Sequence, residues 1–171
     1  MKTGTKSLLV GVHQIFIHPL VVFLAWNKLY GLPNWKETIC IIVHDWGYWG
    51  TSNMDGSEGE NHPELGAHIV DKLFGKEYKN LCLYHSRTYA AKHNTEPSRL
   101  CWCDKLSILY ELDFFYLLRA HLSGEIKEYR HNAAVFNSIP TTIPDKDWIK
   151  IAKKQIINKA YAKDIRPSYE M

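Results

Sequence analysis

The apolar run Ile39-Cys40-Ile41-Ile42-Val43 leads directly into His44-Asp45. A segment this apolar goes into a core and takes the next two side chains with it. A buried carboxylate without a partner is costly, so any fold of this chain must bring charge-compensating groups or a metal ion to Asp45. With 171 residues, 46% of them hydrophobic and 23% charged, the chain suits a single globular domain over 1–171. Disordered, collagen-like and disulfide-stapled classes are excluded. The net charge of +3 is too small to announce nucleic-acid binding or a membrane surface.

Cys40, Cys82, Cys101 and Cys103 lie in or beside apolar runs, and the pair Cys101-Trp102-Cys103 lacks the spacing of a zinc knuckle. They read as small buried thiols of a reducing, cytoplasmic compartment. Leu8–Trp26 has nearly the length of a membrane span, yet His13, Gln14, His18 and Pro19 in its middle are expensive in lipid. No clean cleavage site follows the leader Met1–Lys6. The segment is expected to be a buried core helix, with no membrane partner.

Apolar residues rarely alternate singly, and helical spacing dominates. Helices are expected over Leu20–Tyr30, stopped by Gly31-Leu32-Pro33, and over Trp35–Trp49. After a polar loop, Gly50–Asn61, His62-Pro63-Glu64 opens a helix to Phe74, with proline in the first turn and Gly75 at the stop. Glu77–Ala91, Ser98–Leu122 and an amphipathic Asp145–Lys163, its face formed by Trp148, Ile151, Ala152, Ile156 and Tyr161, complete the pattern. The expected fold class is all-α, with six or seven helices. Its core covers about residues 10–125, and an extension over 126–171 carries one helix.

Nine histidines are the unusual count. His18, His44, His62, His85 and Asp104 follow one another at gaps of 26, 18, 23 and 19 residues, each about one helix plus one loop. Successive helices can therefore deliver one ligand-type side chain apiece to a common centre. Imidazole nitrogen with carboxylate oxygen is the donor set of catalytic Zn, Mn or Fe. Asp45, with two oxygens, can bridge two ions. His13 and His68 fall off this pattern, and His93, His121 and His131 sit in polar surroundings that suit the surface.

The order His18, His44-Asp45, Asp104 resembles the H…HD…D pattern of the HD-domain superfamily of metal-dependent phosphohydrolases. The neighbouring words His18-Pro19-Leu20-Val21 and Cys103-Asp104-Lys105-Leu106 agree. His62-Pro63-Glu64-Leu65-Gly66-Ala67 and Tyr84-His85-Ser86-Arg87 look like the two further histidines of its two-metal members. The resemblance implies a helical core with the metal centre between helices. It implies ligands His18, His44, Asp45, His62, His85 and Asp104 for a divalent metal, two ions of Mn, Fe, Co, Ni or Zn. The implied activity is phosphoester cleavage, as a phosphomonoesterase or phosphodiesterase, through a hydroxide bridging the ions. Tyr48 stands where that family's 5′-deoxynucleotidases have glutamate and other members lysine.

The expected partner is a small phosphorylated substrate, a nucleotide or nucleotide-like signal. Asp45 is assigned to the reaction as well as to the metal. Arg87 and Lys105, close behind proposed ligands, are expected to hold phosphate oxygens. Glu58, in the loop after the dyad, is a candidate to protonate a leaving group, and Glu60 is its neighbour. Trp46, Tyr48 and Trp49 form an aromatic cluster in which at least two members are expected to pack into the core. The same ligand set serves a di-iron oxygenase or a nucleotide-binding module without catalysis. Phe114–Leu118 offers a face for a homo-oligomer.

Overall fold

Turn and capping chemistry sets the helix boundaries in the first half of the chain. The structure, a computed structural model, describes residues 1–165 and holds ten α-helices and no strand among them. Helix α1 (Thr3–Val10) is followed by α2 (Ile17–Tyr30), where the Gln14 side chain accepts from the Phe16 and Ile17 amides at 2.8 and 2.7 Å. Pro19 sits in the first turn of α2, where its missing N–H leaves no bond unmade. Asn34 opens α3 (Trp35–Val43) with a capping box: its side chain accepts from the Lys36 and Glu37 amides, and Glu37 accepts from the Asn34 amide.

Helix α4 (Pro63–Phe74) starts and stops where the sequence places it. Beyond it lie α5 (Lys76–Leu83), α6 (Arg87–Lys92), α7 (Arg99–Leu106), α8 (Asp113–Ser123), α9 (Glu125–Asn137) and α10 (Asp145–Tyr161). The all-α class stands, while the helix count exceeds six or seven because longer expected helices are broken and α9 is an additional one. Leu8–Trp26 is divided at residues 11–16, Trp35–Trp49 ends at Val43, Glu77–Ala91 breaks around His85, and Ser98–Leu122 breaks between α7 and α8.

Tertiary hydrogen bonds explain the first of these breaks. Arg119 of α8 donates to the carbonyls of Gly11 and Val12 at 2.9 and 3.2 Å, and Glu125 of α9 accepts from the Val12 amide at 2.9 Å. Backbone groups that would have continued α1 are thus satisfied by distant side chains.

Two large apolar clusters, with a smaller one of Leu8, Tyr48 and Met54, hold the helices. Val22, Trp26, Ile41, Val70, Cys82 and Leu100 join α2, α3, α4, α5 and α7. Tyr116, Ala120, Ile126, Ala133, Trp148 and Ile149 join α8, α9 and α10, so the segment after residue 125 carries two helices and much of the second cluster. Gly124, at φ +89°, makes the sharp reversal from α8 into α9. On α10 the inward set is Trp148, Ile149, Ala152, Ile156 and Ala160, whereas Ile151 and Tyr161 face out. The expected helix end at Lys163 comes two residues early, at Tyr161. All four cysteines are buried and free. No helix among the described residues is long and apolar enough to cross a membrane.

Candidate metal centre

Helix α3 ends just before the dyad. His44 is its C-terminal cap, and Asp45 takes φ −98° and ψ 0°, a bridge conformation common among active-site residues. His18 comes from the first turn of α2, His62 from the residue before α4, His85 from the turn between α5 and α6, and Asp104 from α7. All six side chains are buried, none more than 8% exposed.

Three of the imidazoles are anchored alike. The Nδ1 atoms of His44, His62 and His85 lie 2.7, 2.6 and 2.5 Å from the carbonyl oxygens of Ile41, Gly59 and Cys82. A carbonyl only accepts, so each Nδ1 carries a proton and each ring turns its Nε2 toward the centre.

The Asp45 carboxylate divides between two histidine groups. Its Oδ2 lies 3.1 Å from His18 Nε2 and 3.2 Å from His44 Nε2. Its Oδ1 lies 3.3 Å from His85 Nε2 and 3.5 Å from His62 Nε2. Asp104 Oδ1 completes the first group, 3.2 Å from His18 Nε2. Donor atoms of His18, His44, Asp45 and Asp104, and separately of Asp45, His62 and His85, lie within 4.8 Å of one another, so each group can hold a metal ion.

These contacts have the spacing of a ligand shell. His44 Nε2, both nitrogens of His18 and Asp45 Oδ2 have no hydrogen-bond partner although they are buried. Donors held about 2.1 Å from one ion sit roughly 3.0–3.4 Å from each other. The separations of 3.1–3.3 Å among His18, His44, His85 and the two carboxylates match that, and the orphaned His44 Nε2 and Asp45 Oδ2 face each other across 3.2 Å. The donor set therefore fits a divalent cation.

The electrostatics of the metal-free cluster agree. Burial opposes ionisation of Asp45, yet His44 and His13 hold its carboxyl well below the usual range. Burial likewise opposes Asp104, and Lys105 and His18 overcome it. Burial lowers the pKa of both His44 and His62. His18 is desolvated too, but Asp104 and Asp45 push it up to about 10, so in the absence of a cation it carries a proton between the two carboxylates.

Close packing supports the geometry. A Cβ on Gly66 of α4 would lie 2.5 Å from the Val43 carbonyl oxygen and 3.1 Å from His44 Cα, so only glycine lets α4 approach the dyad this closely. Tyr48 stacks on His62 with ring centroids 4.0 Å apart and planes at 11°. In the aromatic cluster only Tyr48 is buried; Trp46 and Trp49 are 37% and 63% exposed, against the expected packing of two.

The structure thus brings together all six candidate ligands. Arg87 and Lys105 line the cavity in front of them, with His13, Tyr48 and Asp55. Lys105 Nζ donates to Asp104 Oδ2 at 2.9 Å; burial works against its charge, and the Asp104 carboxylate holds its pKa above the usual value.

Glu58 is not brought in. Its exposed carboxylate accepts from the Ser52 amide at 2.8 Å and pairs with Lys2, while Glu60 pairs with Lys92. From that loop Asp55 lines the cavity instead, accepting from Asn132 Nδ2 at 2.6 Å. His13, near the expected ligands but off their pattern, also faces the cavity, because the chain turns back between α1 and α2. His68, His93, His121 and His131 are exposed.

Beyond the metal cavity, of about 100 Å³, a cleft continues past Arg87 and Lys105 to Tyr116 and Tyr129. A further apolar cavity adjoins it, with Trp102, Trp148 and Lys159 in its walls. No family model, no curated protein and no solved structure matches this chain.

Proposed function

We propose that the protein is a metal-dependent phosphohydrolase that cleaves a phosphoester of a nucleotide or nucleotide-like molecule. The observation that carries this reading is the division of the Asp45 carboxylate, with one oxygen toward His18 and His44 and the other toward His62 and His85. A bridging carboxylate between two nitrogen-rich groups is how a protein holds two divalent ions a few ångströms apart. The order of these ligands along the chain also underlies the resemblance to the HD-domain superfamily.

When bound, such ions lower the pKa of water toward neutrality and polarise phosphoryl oxygens. The chain supplies the rest. Arg87 offers a planar, permanently charged fork to the nonbridging oxygens, and Lys105, tied to Asp104, offers an ammonium on the same wall. The metal cavity has room for little beyond the ions and a phosphate, so the remainder of the substrate extends into the cleft. There Tyr116, Tyr129 and Trp102 present aromatic surface on which a nucleobase can stack.

The test is metal analysis combined with assays on bis-p-nitrophenyl phosphate and a nucleotide panel, with oxygen uptake followed in parallel. Anaerobic hydrolysis by Mn-loaded protein is expected. Turnover that requires O₂ would replace this reading with a di-iron oxygenase, and tight nucleotide binding without turnover under any metal would replace it with a binding module.

A further inference from the structure

His13 lies outside both donor groups, yet it faces them. Its Nε2 is 3.9 Å from Asp45 Oδ2, and its ring lies against those of His18 and Tyr48 at centroid distances of 5.1 and 5.0 Å. It lines both the metal cavity and the adjoining cleft.

Behind it stands a fully buried carboxylate. Glu125 Oε1 lies 2.9 Å from His13 Nδ1 and also accepts from Ser7 Oγ at 2.7 Å and the Tyr129 hydroxyl at 2.6 Å. Its Oε2 accepts from the Val12 amide at 2.9 Å and from Ser123. With so many donors turned on it, Glu125 is an anion that accepts and does not donate, and burial is overcome to hold its carboxyl down at about 2. The proton on Nδ1 of His13 is thereby fixed, and Nε2 is the atom turned toward the cavity.

We propose that His13 and Glu125 form an acid–base dyad, in which His13 Nε2 exchanges a proton with the leaving group of the substrate and Glu125 positions the ring. The inference rests on the phosphohydrolase reading. In the step it describes, the oxygen of water bonds to phosphorus as the P–O bond to the leaving group breaks. The electron pair of that bond goes to the leaving oxygen, which takes the Nε2 proton of the doubly protonated ring and leaves the Nδ1 proton on Glu125's side. The proton shed by the attacking water returns to Nε2, so an alcohol and a phosphate leave and the ring is restored. A carboxylate that fixes one ring nitrogen while the other meets the substrate is the arrangement that makes histidine an effective proton carrier. Glu58, held by Ser52 and Lys2, does not line the cavity and leaves this position to His13.

His13→Asn tests the dyad, since the asparagine amide can still donate to Glu125 while Nε2 is removed. The wild type and variant, loaded with Mn²⁺, are compared on p-nitrophenyl and phenyl esters of phosphate, monoesters or diesters according to which the wild type cleaves. The variant should lose about 100-fold or more in kcat on the phenyl ester, whose leaving group needs the proton, and less than about tenfold on the p-nitrophenyl ester. It should bind as many equivalents of Mn²⁺ as the wild type by calorimetry. At a pH where the ring is neutral, nitrogen NMR of the metal-free wild type should place the His13 proton on Nδ1, and Glu125→Gln should move it toward Nε2 and reproduce the leaving-group split. Equal losses on the two esters, a lost equivalent of Mn²⁺, or a neutral wild-type ring whose single proton sits on Nε2 would each overturn the dyad alone. A wild type that binds Mn²⁺ and cleaves neither ester would overturn the phosphohydrolase reading and the dyad with it.

Discussion

His62 Nε2 and His85 Nε2 lie 2.9 Å apart, and each ring has committed its proton to a backbone carbonyl on its other side. Between neutral rings, the two bare lone pairs repel each other at that distance, and both rings are buried. A cation between them turns the repulsion into attraction. The local turns fix the ring directions, so the pair is held ready before any ion arrives.

His85→Ala should therefore remove one binding site and leave the other. Calorimetric titration with Mn²⁺ is expected to fall from two equivalents to one, with the His18, His44 and Asp104 group still loaded. Two retained equivalents would show that His85 is not a ligand.

Metal binding should depend on pH through His18. Its pKa in the metal-free fold is raised from 6.5 to about 10, so its contribution to apo stability is complete below 6.5 and is lost as pH rises toward 10. A metal ion must displace that proton, so affinity should climb by about tenfold per pH unit across the same window. Titrations in buffers of different ionisation enthalpy should register a proton released per ion bound, and denaturation of chelator-treated protein should show the opposite trend with pH.

The Glu125 network should govern stability in acid. Its carboxyl is lowered from 4.5 to about 2, so the stabilisation is complete above 4.5 and disappears as pH falls from 4.5 to 2. A shift of that size corresponds to roughly 3 kcal/mol. Urea unfolding of Glu125→Gln should therefore show a flatter acid limb than the wild type, with the two converging near the bottom of the range.

Gly66→Ala should push α4 away from the dyad. Overpacking of this kind costs roughly 1–3 kcal/mol. Because His62 is carried at the start of α4, Mn²⁺ affinity should drop more for the group containing His62 and His85 than for the other. Thermal melts with and without Mn²⁺ separate the two effects.

The ligand set was legible because order and helix-sized gaps survive in a sequence. The helix breaks were not, because distant partners make them. Residues 11–16 leave the helix through Arg119 and Glu125, more than 100 residues away. Helix α9 escaped notice because its inward residues, Glu125, Ile126 and Ala133, include a carboxylate and a small side chain and leave a weak apolar stripe. The loop carboxylate was misjudged for a related reason: sequence shows that Gly50–Asn61 follows the dyad, but backbone turns decide that Asp55 faces the cavity and Glu58 faces Ser52 and Lys2.

Asp45 is expected to bridge two cations, and anomalous diffraction from a Mn²⁺-loaded crystal would locate both. Two peaks about 3.5–4 Å apart are expected, one beside Asp45 Oδ2 with His18, His44 and Asp104, the other beside Oδ1 with His62 and His85. A single peak, or two that leave Asp45 unshared, would contradict it.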